Sequence, residues 1–430
     1  MKLGRLVREL ELLSKTWGNW DEKIKKCNEI LKVDSNNVRA IWLRGHAHYY
    51  KQEYQLAYND IFTANELSPG VRDHLRYLGF IHRVAREYDE AIKYFLQAEK
   101  VAPKNYAVQE DIAQTYYNMD NFTKAVEYYD RAIKLDPKNG NNVMYSRSAL
   151  LAKLQQELNV LAWGQFDEKI KKADEIIKIK SDCVEALWLR GHAYYYKKEY
   201  QLAYNDIALA NILKPNNVYY LRYIGFCHEA CREYDEAIKY FTKAEKLSPN
   251  NYAIQEDFAR VYYAKDDFIK AVEHSEKAIK LDSVKSNKTL LIKCKTLIRL
   301  HSELATMVVQ WGNWDTKIVK ATEILKIKPD NILALQRRGH AYYYKQEYQL
   351  SYNDFFLANN TIVKPHAYYM RYLGFCHEAC AEYDKAIECF KEADKLTPNN
   401  KDIKDDFERV NRKVVNKFTH DPNNCRVISE

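Results

Sequence analysis

Two five-residue segments hold the side chains best suited to chemistry. Cys227-His228-Glu229-Ala230-Cys231 returns as Cys376-His377-Glu378-Ala379-Cys380. Cysteines at i and i+4 share one face of a helix, and thiolate and imidazole are zinc ligands. Two ligands on one helix do not complete a tetrahedral site, and the corresponding places earlier in the chain hold Ile81 and Ala85. The cysteines therefore read as buried, reduced thiols in packing positions. His46, His192 and His340 recur too far apart to share one ion, so no metal and no cofactor are expected. Phosphate-cradling glycine loops, a Gly-x-Ser-x-Gly elbow and H-E-x-x-H are absent. Acidic residues are plentiful but scattered over helix faces, as on an ordinary solvated surface. The class indicated is binding rather than catalysis.

What positions such residues is a copied segment. Arg44–Asp60 returns at Arg190–Asp206 with 15 of 17 residues unchanged, and again at Arg338–Asp354. Self-similarity of this kind marks a repeat protein. The finer period is 34 residues: it separates Pro69, Pro103 and Pro137, also Ala57, Ala91 and Ala125, also Ala64, Ala98 and Ala132, and Gly45 from Gly79. Small residues at unit positions 8, 20 and 27 let two antiparallel helices approach closely. Proline at position 32 cannot continue a helix and starts the turn to the next unit.

A small residue at 8, Ala at 20 and 27 and Pro at 32 resemble the tetratricopeptide repeat, TPR. The resemblance extends over units 4–37, 38–71, 72–105, 106–139, 150–183, 184–217, 218–251, 252–285, 298–331, 332–366 and 367–400, about nine-tenths of the chain. It implies an all-α, right-handed TPR superhelix, an α-solenoid of about eleven helical hairpins with a C-terminal capping helix. Glu87-Tyr88-Asp89-Glu90-Ala91 resembles the family's turn between helix A and helix B. Units 4–37, 150–183 and 298–331 depart from the pattern, with Lys23, Lys169 and Lys317 at position 20 and Ile30, Ile176 and Ile324 at position 27. They share instead the turn Trp17-Gly18-Asn19-Trp20-Asp21, Trp163-Gly164-Gln165-Phe166-Asp167 and Trp311-Gly312-Asn313-Trp314-Asp315. Its glycine can end helix A in the left-handed region, and its aromatic residues can staple the hairpin.

Three blocks follow: 1–139 with four units, 140–285 with four and 286–400 with three. The insertions at 140–149 and 286–297 carry apolar residues at helical spacing, through Val143, Leu150, Leu154 and Leu158 and through Leu290, Cys294, Leu297 and Leu304. They predict a lengthened helix A in the units they precede. Ile403, Phe407, Val410, Val414 and Phe418 make one apolar stripe, which predicts a capping helix over 401–418 with a polar outer face, followed by a flexible tail at 419–430.

The totals bound the remainder. A net charge of +8, from 67 basic and 59 acidic residues, is a mild bias. Few glycines and prolines leave little room for long loops. No apolar run suits a signal peptide or a membrane span. Nine cysteines, odd in number and unevenly spaced, argue against a disulfide framework. A soluble protein of the cytoplasm is expected.

In a TPR array, helix A lines the concave face. Read onto this chain, the resemblance implies partner-binding residues Trp42, His46, Tyr49, Tyr50 and Arg76 in the first block. It implies Trp188, His192, Tyr195, Tyr196 and Arg222 in the second, and His340, Tyr343, Tyr344 and Arg371 in the third. Aromatic rings and arginine forks anchor interfaces at low entropic cost. The expected function is a non-enzymatic protein–protein interaction scaffold gripping an extended peptide or helix of a partner. The lysine and asparagine clamp by which some TPR modules hold a chaperone C-terminal tail is missing, with Trp42, His46, Tyr77, Ala107 and Asp111 in its places. The alternative is RNA or single-stranded nucleic acid, stacked on the same rings beside arginine. The even mix of acids and bases counts against it.

Overall fold

Proline and small residues cut the chain into helices at the anticipated period. The computed structural model describes residues 2–308, 312–362 and 364–419. The chain divides into two compact units, Met1–Pro215 and Asn216–Glu430, and the boundary falls inside the second sequence block. The first unit contains α1 (Lys2–Ser14), α2 (Trp20–Leu31), α3 (Val38–Tyr50), α4 (Tyr54–Leu67), α5 (Arg72–Val84), α6 (Tyr88–Val101), α7 (Tyr106–Asn118), α8 (Phe122–Leu135), α9 (Asn142–Asn159), α10 (Phe166–Ile179), α11 (Val184–Tyr196) and α12 (Tyr200–Leu213). The second contains α13 (Val218–Ala230), α14 (Tyr234–Leu247), α15 (Tyr252–Ala264), α16 (Phe268–Leu281), α17 (Lys288–Val308), α18 (Trp314–Ile327), α19 (Ile332–Tyr344), α20 (Tyr348–Thr361), α21 (Ala367–Ala379), α22 (Tyr383–Leu396) and α23 (Lys401–Thr419). Each odd helix pairs with the even helix after it, and within each unit the pairs stack on their sequence neighbours. The described residues thus form eleven helical hairpins and a closing helix, the all-α array that the TPR resemblance implies.

The helix ends follow from local chemistry. Asn37, Asn105, Asn141, Asn217, Asn251 and Asn331 cap the starts of α3, α7, α9, α13, α15 and α19 with their side-chain oxygens. The residue before proline is forced toward extended backbone, so α4, α6 and α8 stop at Ser68, Ala102 and Asp136. Gly18, Gly164 and Gly312 adopt left-handed φ of 88°, 98° and 90°. Each stands just before the N-cap of helix B, at Asn19, Gln165 and Asn313, and not at the end of helix A, since α1 stops at Ser14 and α9 at Asn159. In the other hairpins that conformation falls on residues with side chains, such as Gln52 at φ 62° and Lys198 at φ 65°. Glu87-Tyr88-Asp89-Glu90-Ala91 is mostly not turn: Glu87 is the N-cap and Tyr88 starts α6.

The inserted residues are helical. α9 runs 18 residues and α17 runs 21, against 13 in most other A helices. Each long helix packs on the helix pair before it as well as on its own partner. The lysines at position 20 also find a physical account. Lys23 and Lys317 are 4% and 6% exposed. Each holds its ammonium 4.4 Å from an indole, of Trp20 or Trp314. Lys23 also donates to the Thr16 carbonyl near the end of α1. Cation–π attraction and a carbonyl replace the water these ammonium groups give up. Of the four cysteines in the paired motifs, Cys227 and Cys376 are buried as expected, whereas Cys231 and Cys380 cap α13 and α21 and are exposed. Trp311 and residues 420–430 lie outside the described residues; of the anticipated tail at 419–430 only Thr419 is described, and it is the last residue of α23.

The hairpins close at glycine. A Cβ on Gly45 would lie 2.7 Å from Ile61, and one on Gly79 2.6 Å from the Phe95 ring. In α23 the same unit position is Glu408, which is exposed among the described residues. Gly79→Ala is expected to lose about 1–3 kcal/mol to overpacking, against about 1 kcal/mol gained in helix propensity. Gly4→Ala, with no atom within 4 Å of the new methyl, gains only the propensity. Urea midpoints should fall for the first and hold or rise for the second. Equal midpoints would refute the close-packing account.

Candidate binding surface

In the first unit the predicted residues of α3 gather into one aromatic cluster. Tyr77, from α5, is its hub. Its hydroxyl lies 3.0 Å from His46 Nε2 and 2.9 Å from the Tyr50 hydroxyl. Trp42 meets Tyr77 edge-on at 5.2 Å and His74 at 4.9 Å, and Tyr49 meets Tyr77 edge-on at 5.2 Å. From the other side Trp20 stacks on Tyr50 at 4.9 Å. The rings are half-buried, and they interlock α2, α3 and α5. Thus the aromatic turn staples its hairpin to the next one, while Trp17 stays 75% exposed beside it.

The second copy on α11 repeats the pattern. Trp188 lies 5.4 Å from His192, His192 4.8 Å from Tyr196, and Phe166 stacks on Tyr196 at 5.5 Å. Tyr195 is half-buried against Tyr196, which is exposed.

In the second unit Trp314 stacks on Tyr344 at 4.9 Å, and His340 sits 4.5 Å from the Tyr372 ring with its Nε2 against the Tyr368 hydroxyl. Tyr343, Tyr344, Tyr372, Phe375, Glu378, Arg409 and Lys413 line an open concavity of about 420 Å³. Here α19, α21 and α23 converge, so the closing helix supplies part of the wall. Glu378 accepts from Arg409 at 2.7 Å and from Lys413 at 2.8 Å, which places a polar edge beside the rings. Phe375 is backed by the fully buried Phe390.

The predicted arginines are placed differently from the rings. Arg76, Arg222 and Arg371 each grip a carboxylate 35 residues on: Asp111 at 2.6 Å, Asp257 at 2.5 Å and Asp406 at 2.5 Å. The acceptors are largely buried and belong to the helix A of the following hairpin, or to α23. These forks are spent inside the chain, where they bind neighbouring hairpins together. The spacing was available in the sequence, since all three arginines have an aspartate at the same distance. Tyr77, Tyr223 and Tyr372, one unit position after the arginines, carried a similar signal. Arg409 and Lys413 became visible only once α23 was placed against α21.

Burial sets the charge of the site. His46 and His340 are each pushed down to about 4 by desolvation, and His192 is lowered for the same reason. All three are neutral at pH 7, so Tyr77 can donate its hydroxyl hydrogen to His46. Burial likewise raises Tyr343 to about 12 and keeps that phenol protonated. The surface is an uncharged aromatic wall edged by paired ions.

Known proteins show the same units. Tetratricopeptide-repeat models match residues 218–251 and 366–400, the first over the unit bounds read from the sequence and the second one residue earlier. The chain is a tetratricopeptide-repeat protein. A model described as regulator of microtubule dynamics protein 1-3 matches residues 84–159. Among curated relatives, BBSome complex member BBS4 of Bos taurus is 22% identical over 79% of this chain and 62% of its own length. DnaJ protein P58IPK homolog B of Oryza sativa is 22% identical over 78% of this chain and 58% of its own. The chain thus spans about three-fifths of these relatives. The crystal structure of the P58(IPK) TPR domain aligns with a TM-score of 0.48 at 12% identity, covering 89% of this chain and 99% of that one. No described helix of the TPR array is long and apolar enough to cross a membrane.

The lowered histidines link folding to pH. Their folded pKa lies below the unfolded value near 6.5, so the stability they carry is complete above that value and is lost as pH falls toward 4. At pH 5 His46 and His340 should each cost about 1–2 kcal/mol. Melting curves of the native chain and of His46→Gln/His340→Gln, taken from pH 7 to 4.5, should converge as pH falls, the variant showing the flatter profile. Parallel profiles would show that these rings are not buried neutral.

Proposed function

We propose that this TPR array is a protein–protein interaction scaffold, and that the concavity in its second unit takes an extended or helical segment of a partner. The observation that carries the reading is the joint presence of exposed rings and a polar edge in one open hollow. Tyr344 is 42% exposed, Tyr343 and Tyr372 stand beside it, and Glu378, Arg409 and Lys413 form the rim. Rings of this kind bury much area with little rotamer loss, and the rim fixes orientation. A segment with one or two large apolar side chains and a flanking carboxylate suits it, the carboxylate meeting Lys413, whose exposed ammonium has donors beyond the one given to Glu378. The first-block cluster offers the same rings, Tyr49, Tyr50, Tyr77 and Phe80, with Arg83 where the later copy has Glu378. Its guanidinium lies 5.0 Å from Phe80, so that copy favours a different segment.

The aromatic content supports peptide binding more than nucleic-acid binding. Stacking sites for single strands work with arginines free to meet phosphate, and Arg76, Arg222 and Arg371 are each held by an aspartate. Peptides selected on the full-length chain from a random display library give the test. Tyr344→Ala and Lys413→Glu should each weaken the selected peptides about tenfold, since a loss of ~1.4 kcal/mol corresponds to that factor. Peptides that bind both variants as well as the native chain would place the site elsewhere.

A further inference from the structure

The charge of this chain is concentrated at the two long helices. The junction of α16 and α17, residues 268–308, holds eight basic and four acidic residues, and that of α8 and α9, residues 122–159, holds six and four. Together they carry six of the eight net charges, so the rest of the chain is nearly balanced. Within the second unit the bias sharpens: from 283 to 302 there are five basic residues and no acidic one.

The α17 extension presents these charges outward. Lys288, Ile292, Lys295 and Arg299 recur at helical spacing along one exposed stripe, with Lys293 beside it. Lys295 and Arg299 are more than half exposed and reach Glu276 and Glu303 in pairs of the surface kind. Such pairs are worth little and exchange readily. Lys288 and Lys293 make no ion pair among the described residues. Amid the cations, Val284 is 90% and Ile292 65% exposed. Buried on the opposite face are Cys294, Leu297, Leu300 and Leu304, so the helix itself is anchored.

We propose that the exposed face of α17 docks an acidic segment of another protein, with carboxylates meeting Lys288, Lys293 and Lys295 and an apolar side chain meeting Ile292. Charge complementarity selects the partner and speeds encounter, and the isoleucine adds contact that salt does not screen. A single stripe broken by an apolar residue suits a peptide better than a duplex or a bilayer, which would engage a broad field of cations. The surface is separate from the aromatic hollow, so the two can be tested independently.

The probe is a fluorescent helical peptide of glutamates with leucine at every fourth place, titrated against the full-length chain at low and at physiological salt. Binding should weaken with salt, and Lys288→Glu/Lys293→Glu should weaken it about tenfold. Lys93→Glu/Lys239→Glu, reversing exposed lysines on α6 and α14, should leave it unchanged. Ile292→Ser should weaken it at both salt concentrations. Lys288→Gln/Lys293→Gln, with circular dichroism beside it, guards against a folding defect and should give a smaller loss in the same direction. Equal binding by the native chain and the glutamate variant would overturn the proposal. So would tighter binding to random-sequence RNA, or to vesicles of anionic lipid, that the same variant removes.

Discussion

A single arginine fork holds each copied segment in register. Arg44, Arg190 and Arg338 open the three copies, and Asp60, Asp206 and Asp354 close them. The structure joins first to last: Nε and Nη2 of Arg44 donate to the two Asp60 oxygens at 2.8 and 2.6 Å, and the other copies repeat this within 0.1 Å. The remaining amine, Nη1, reaches back to the preceding helix B, to Asn28, Asp174 or Thr322. One side chain therefore ties three helices. Only a planar, bidentate donor does this, which is why lysine would not serve. The tie runs beside Gly45, Gly191 and Gly339, where the helices come closest. The apolar contact brings the helices together, and the fork fixes how far they slide.

A second layer of ties joins hairpin to hairpin. Arg76, Arg222 and Arg371 reach the next helix A, and Lys180 and Lys328 reach Asp120 at 2.7 Å and Asp266 at 2.6 Å across the junctions where the long helices begin. Asp120 also accepts from the Val184 amide at 2.7 Å, so that both of its oxygens are occupied. Buried pairs of this kind add little net stability but resist rearrangement, because breaking one leaves a charge without water. The closing helix uses the same device. Asp406 stands to Arg371 as Asp257 stands to Arg222, and Arg409 meets Glu378 as Arg260 meets Glu229. α23 thus takes the place of a helix A, with Glu408 where glycine or alanine would stand, and among the described residues no helix B follows it.

Periodicity reports burial, and burial was legible. Ala57 and Ala91, and Pro69 and Pro103, each pair 34 residues apart, were enough to place the hairpins, because a helix can approach another only at small residues and cannot run through proline. Leu154 and Leu158 announced the long helix for the same reason, although Val143 and Leu150 of the same predicted stripe stand exposed. Pairing was far less legible. Arg76 and Arg222, seen one residue at a time, offer free forks to a ligand; their acceptors lie 35 residues away, on a helix whose rotation the apolar pattern does not specify closely. Left-handed Gln52 and Lys198 were hidden too, since a loop this short imposes the conformation whatever the side chain. Lys23 and Lys317 read as departures from a rule, and became part of the core only when each indole was found over its ammonium.

Duplication has kept the frame and varied the edge. The forks, the glycines and the stacked aromatic pair recur in every copy. Half-buried places have diverged: unit position 12 is Arg83, Glu229 or Glu378, and Leu43 and Leu189 give way to Arg337. A frame whose shared ties are the Arg–Asp forks can vary these places, and in two copies the varied residue makes a tie of its own, Glu229 with Arg260 and Glu378 with Arg409. Copies built on one frame would otherwise be redundant. The different charges set around the same rings make each copy a distinct surface, and that divergence is what would be expected if the blocks engage different segments rather than one segment three times.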